Sequence, residues 1–192
     1  LQRPQTTMID AKGATVLPGF NDAHVHLVRG GLTLDGVDLE GAATVGEVLS
    51  RVKAWADANP DREWIVGRGL SEEILTGRDR TIRQALDAAI KDRPVQLVSE
   101  RRNAAWVNSK ALKLAKIAAR TPDPEGGRIV RDSKGEATGV LEGTAVRAIE
   151  QLLPEPTPEE RTRALFAAIA EAQRNGITSL QNADGEALDF EL

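Results

Sequence analysis

Short apolar runs alternate along this chain with longer segments whose apolar residues recur every three or four positions, and few folds satisfy that alternation. Thr44, with Glu47 three residues on, carries a capping-box signature. The helix it opens places Val45, Val48, Leu49, Val52 and Trp55 on one face before Pro60-Asp61 ends it. Residues 63–67 then predict a buried strand. The pattern repeats: Thr81 opens a helix with Ile82, Ala85, Leu86 and Ala89 on one face, and 94–98 form a strand. Asn108 or Ser109 opens a third helix. Residues 128–132 and 137–141 predict a hairpin turning at Lys134-Gly135, and a further helix covers about 144–153. Thr157-Pro-Glu-Glu160 caps another helix, which stops at Asn175-Gly176 before a last strand from Ile177 to Leu180. Near the start, 6–17 predict short strands around a Lys12-Gly13 turn. Residues 20–28 predict a strand, and the glycine-rich stretch 29–43 a loop. Strands and helices in this order imply βαβ units and a largely parallel sheet, into which the hairpin intrudes.

The chemistry is bounded by counts. With no cysteine, disulfides, thiolate metal sites and a cysteine nucleophile are excluded; histidine chemistry rests on two residues, His24 and His26. Lys and Arg total 25 against 29 Asp and Glu, a net charge of −4 that argues against nucleic acid or an anionic membrane as partner. No apolar run approaches the ~18 residues a membrane span requires. No basic-then-apolar leader stands in these residues, so a cytoplasmic location is expected, with export left open. The chain begins at Leu1 and ends without an evident helix or cap, which suggests a piece of something longer.

Both histidines sit in Leu17-Pro-Gly-Phe-Asn-Asp-Ala-His-Val-His26. On a strand, residues two apart point to the same side, so both imidazoles can converge on one ion, at roughly 2.0–2.1 Å for zinc. Asp22 lies on that side too and could orient a histidine or a bound water. The competing reading is a polar face of solvated imidazoles.

This segment resembles the first barrel strand of the amidohydrolase superfamily, and more narrowly the branch called amidohydrolase family 3, which includes N-substituted formamide deformylases. Supporting blocks are Trp64-Ile-Val-Gly-Arg-Gly69, Ala105-Trp-Val-Asn-Ser-Lys-Ala-Leu112, Gly126-Gly-Arg-Ile129, Gly135-Glu-Ala-Thr-Gly-Val-Leu141 and Gly176-Ile-Thr-Ser179. The resemblance implies an α/β fold: part of a TIM-type (β/α) barrel over 20–192, with a hairpin inserted at about 126–142 and, over 1–19, the last strands of a small β-sandwich. A full barrel needs about 250 residues.

It also implies a metal-dependent hydrolase of small molecules with carbon–nitrogen, amide-like bonds, in which a divalent metal, zinc in the first instance, activates a water. His24 and His26 match the family's first pair of ligands. Glu142 is the candidate bridging carboxylate, and Asn103 and Trp106 are candidate substrate contacts. The later histidines and late aspartate of the family have no match here. Where relatives often carry Asp-Gly-His, this chain has Arg101-Arg102-Asn103. Two alternatives stand beside this reading. One is an inactive truncated copy that self-associates or pairs with the rest of a barrel; the other is a binding module without a complete metal site.

Overall fold

The computed structural model of the protein describes residues 3–75, 80–185 and 189. They form two sheets of unequal size. The smaller joins β1 (Phe20–Val25) to β8 (Ile177–Asn182) in parallel, with Asp22 opposite Leu180 and Val25 opposite Asn182. The larger has six strands in the order β2 (Val37–Asp38), β3 (Ile65–Leu70), β4 (Val95–Ser99), β5 (Ala104–Val107), β7 (Ala137–Gly143) and β6 (Gly127–Arg131). From β2 to β4 the pairing is parallel; from β4 through β5 and β7 to β6 it is antiparallel.

Helices cover both faces of the larger sheet. On one side α2 (Val45–Ala58) contributes Val48, Val52 and Ala56, and α4 (Arg80–Ala89) contributes Leu86. These close over Ile65, Val95, Leu97, Trp106 and Val140. On the other side α5 (Ser109–Leu114) and α6 (Arg147–Glu150) close over Ala105, Val107, Ile129 and Leu141. A short helix α3 (Glu72–Leu75) follows β3. The capped starts hold as expected. Thr44 Oγ1 accepts the Glu47 N–H, although the Glu47 carboxylate reaches the N–H of Ala43 rather than that of Thr44. Thr157 and Glu160 make the full reciprocal box at the start of α7 (Pro158–Arg174).

Several expectations are corrected. The strand expected over 20–28 ends at Val25, and Leu27 and Val28 are buried in α1 (Leu27–Leu34). The stretch 29–43 is thus not a loop; it holds the rest of α1 and then β2. Its glycines misled because Gly31 is needed for packing rather than for a turn. A Cβ there would lie 1.9 Å from the Ala164 carbonyl oxygen of α7. The sheet is mixed rather than largely parallel. Ala104–Val107, where no strand is expected, forms the central strand β5, and the hairpin is no intrusion because β7 pairs with it. The helix expected to 153 stops at Glu150 after a single 3-10 turn, Thr144–Val146.

Residues 6–17 keep the Lys12-Gly13 turn, with the Ala14 N–H donating to the Ala11 carbonyl at 2.8 Å, but they form no strand. No described segment pairs with them, and an extended segment without a ladder partner leaves its backbone to water. The six-stranded sheet lies wholly between β1 and β8 in sequence, so most of 20–192 is insertion between two neighbouring parallel strands, and the described residues close no barrel.

Arginines pin that insertion to the helices beside the small sheet. Arg62 pairs with Asp35 just after α1 and with Glu160 on α7. Arg68 donates from Nε to the Thr33 carbonyl at 2.9 Å and pairs with Asp38 at 3.1 Å. In the loop before the hairpin, Asp123 accepts from Arg131 at 2.7 Å and from the Ile129 N–H at 3.0 Å, and the guanidinium hydrogen bond holds its carboxyl below the usual carboxylate range.

Candidate metal centre

Strand β1 delivers His24 to its C-terminal end, and His26 follows as the residue immediately before α1, with φ −113° and ψ 84°. The two imidazoles meet edge to face, ring centroids 5.2 Å apart and planes at 84°. They converge even though His26 has left the strand, so simple alternation of side chains is not the cause. The cause is the turn from strand into helix, and that turn is fixed by β8.

The end of β8 grips this corner at three points. The Ala183 N–H donates to the Val25 carbonyl at 2.7 Å, prolonging the β1–β8 ladder. Asn182 Oδ1 accepts the Leu27 N–H at 2.9 Å, satisfying one of the free donors of the first turn of α1. Asp184 Oδ1 lies 2.9 Å from His26 Nδ1. Both members of that last pair are partly exposed, with 44% and 40% of their side-chain surfaces open.

The remaining sequence candidates fall elsewhere. Asp22 does not orient an imidazole; its Oδ1 accepts the backbone N–H of His24 at 3.1 Å, a local turn contact. The carboxylate that reaches a ring is Asp184, which sequence reasoning passed over as part of a featureless tail. The available signal was the strand expected at 177–180. Paired in parallel with the histidine strand, it brings the residues just after it to the same end.

Glu142 does not join the histidines. It lies on β7 in the other sheet, opposite Arg128 of β6, whose Nε is 3.4 Å from its carboxylate. Asn103 accepts from Ser99 Oγ at 3.1 Å and helps close the β4–β5 turn. In that turn Arg102 takes φ 58°, a left-handed conformation that suits glycine. Trp106 is fully buried in the core beneath α2 and α4, and its Nε1–H is without a hydrogen-bond partner. It is a packing residue here, not a surface open to substrate.

Among the described residues no group of three or more His, Asp or Glu side chains is arranged to hold a metal. His24 and His26 are the two imidazoles at this corner. A cavity of about 880 Å³ lies on the α1 and α7 side of the large sheet, lined among others by Trp64, Arg68, Arg102, Leu153 and Pro156. Neither histidine lines it.

A sequence profile described as Amidohydrolase family matches residues 7–191. The chain is 35% identical over 181 residues to the amidohydrolase homologue YtcJ of Bacillus subtilis, covering 94% of this chain and 34% of that protein. It is 35% identical over 140 residues to N-substituted formamide deformylase of Arthrobacter pascens, covering 72% of this chain and 26% of that one. The fold is similar, with a TM-score of 0.62 and 24% identity, to the crystal structure of an uncharacterized metal-dependent hydrolase from Pyrococcus horikoshii OT3. That match covers 91% of this chain and 32% of the other. The chain thus spans about a third of the length of the relatives it matches.

Proposed function

The chain belongs to the amidohydrolase family, in its family 3 branch, and from that membership we propose that it is the N-terminal part of a metal-dependent hydrolase of small molecules with carbon–nitrogen, amide-like bonds. The observation that carries the metal half of this reading is the pair of imidazoles brought together at the end of β1. The bond class rests on the likeness to the deformylase.

The residues present fit a divalent metal as part of its donor set. Imidazole nitrogen suits zinc, and the Asp184 carboxylate lies 2.9 Å from His26 Nδ1 at the edge of the pair. When bound, such an ion supplies an activated water and polarises the scissile carbonyl. The chain's own part is to hold the two rings rigidly. β1 and β8 set their height, Asn182 fixes the backbone turn between strand and helix, and the Asp184 carboxylate lies against one ring. Among the described residues no third His, Asp or Glu is grouped with this pair as a metal-holding set. A net charge of −4 also suits a small-molecule substrate better than nucleic acid.

Metal analysis and hydrolysis assays on the full-length protein and its His24→Ala/His26→Ala form test this, with N-substituted formamides and related amides as substrates. The double variant is expected to lose bound metal and at least about 100-fold in rate, since loss even of outer partners of ligands costs 10–100-fold. Equal metal content and equal hydrolysis in both proteins would sink the proposal.

A further inference from the structure

We propose that the cavity on the α1 and α7 side of the large sheet binds a small organic cation, an amine or quaternary ammonium group carried on an apolar body. The inference does not draw on the histidine corner, since neither ring lines this cavity.

Size and walls come from the fold. At about 880 Å³ the cavity falls within the range of small-molecule sites, which favour junctions between packed units. Val66 of β3 and Val98 of β4 stand on the sheet face that lines it. Gln96 shares that face, opposite Val66 and two residues before Val98. It is buried, and neither its amide oxygen nor its nitrogen has a partner, so the face beneath the cavity holds an unsatisfied donor and acceptor. The facing wall is fixed in place. Gly36, just past α1, sits so close to β3 that a Cβ would lie 2.5 Å from the Val66 carbonyl oxygen. Arg62 ties that wall on through Asp35 and Glu160, and Arg68 through the Thr33 carbonyl. The space is therefore preformed.

Charge decides the occupant. Of the arginines in the lining, Arg62 is neutralised by Asp35 and Glu160, and Arg68 by Asp38. Arg102 has no carboxylate partner among the described residues. Against it stand Glu40, Asp61, Glu63 and Glu100, all exposed and none with a side-chain partner among the described residues. An anion here meets four unpaired like charges and one cation; a cation meets the reverse. Trp55 and Trp64 belong to the same lining, and an indole face is the best aromatic surface for a cation. Leu153, Pro154 and Pro156 offer apolar surface to the rest of the ligand. A metal ion fits less well, because among the described residues no three His, Asp or Glu side chains are grouped to hold one.

The test is titration calorimetry of the full-length protein with benzyltrimethylammonium, and with phenylpropionate as an anion of similar size, at about pH 7, where exposed carboxylates are ionised. The cation should bind at least about 10-fold more tightly than the anion, and less tightly as salt is raised. Glu63→Gln combined with Glu100→Gln should weaken it about 3–10-fold, because one exposed charge contributes up to about a factor of five. Arg102→Gln should tighten it by up to about that same factor of five. Glu125→Gln combined with Glu136→Gln removes equal charge beside the hairpin, at residues that do not line the cavity, and should change the affinity by less than about twofold. Far-ultraviolet circular dichroism confirms that each variant is folded. Selectivity for the cation that falls with the cavity pair and not with the hairpin pair upholds the site. Equal or tighter binding of the anion, no binding of either probe at about 10 mM, or equal loss in both double variants overturns it.

Discussion

At the scale of single residues, buried Ser99 and Asn108 serve as joints between elements. Asn108 is the clearest case. Fully buried, it accepts through Oδ1 from the Val95 N–H at 3.1 Å and the Ala111 N–H at 3.0 Å, and donates from Nδ2 to the Arg93 carbonyl at 2.9 Å. One side chain therefore caps α5 and fastens the start of β4. Asn108→Ala should destabilise the fold by about 2–3 kcal/mol, the sum of a lost cap and buried backbone groups left without partners. Asn108→Ser should lose about half of that, because a hydroxyl can keep the cap but cannot reach both strand groups. Urea unfolding monitored by tryptophan fluorescence measures both. A loss below about 0.5 kcal/mol for alanine, the range of neutral surface changes, would mean that the joint is not needed. The cap at Asn108 was legible from sequence as a helix start. Its second bond to β4 was not, since no local pattern announces which strand a cap will meet.

The packing of whole elements shows more plainly where sequence reasoning held and where it stopped. Capped, amphipathic helices such as α2 and α7 were readable because both signals, the cap and the apolar period, are local. The helix α1 was not readable, because Gly30 and Gly31 look like loop residues and the reason for one of them lies 133 positions away, at Ala164. Strand β5 escaped notice for a related cause: Ala104–Val107 is apolar on both faces, with no alternation to mark it, and it is buried throughout. The histidine pair was visible as a motif, whereas its anchor at Asp184 depended on the β1–β8 pairing.

The two glycines of α1 give a matched test. Open space surrounds the position of a Cβ at Gly30, so Gly30→Ala should stabilise by about 0.5–1 kcal/mol through helix propensity. Gly31→Ala drives a methyl into the α7 backbone and should cost about 1–3 kcal/mol. Thermal melts of the two variants side by side decide it. The same sign for both would show that α1 does not pack on α7 as described.

For the molecule as a whole, the division into two sheets predicts two levels of stability. The larger sheet is covered on both faces, and β4 and β5 are buried along nearly their whole length. The smaller has two strands, most of whose residues are exposed, and a two-stranded sheet is marginal without further packing. Its support comes from α1 and α7 and from the contacts of residues 182–184. Backbone amides of β1 and β8 should therefore exchange with solvent at least about 10-fold faster than those of β4 and β5, a difference of about 1.4 kcal/mol in opening free energy. Zinc supplies the discriminating step. A ligand that binds only the folded corner stabilises it in proportion to its occupancy, and the gain falls on the segments that carry the ligands. Adding zinc to the full-length protein should thus slow exchange in peptides covering 20–27 and 177–184, and leave 95–107 unchanged. Hydrogen exchange read by mass spectrometry separates these peptides. Equal protection of the two sheets without metal would contradict the hierarchy. A zinc effect spread evenly over both would show that the insertion and the histidine corner open as one unit, with the Arg62 and Arg68 contacts, rather than the metal ligands, setting the stability of the site.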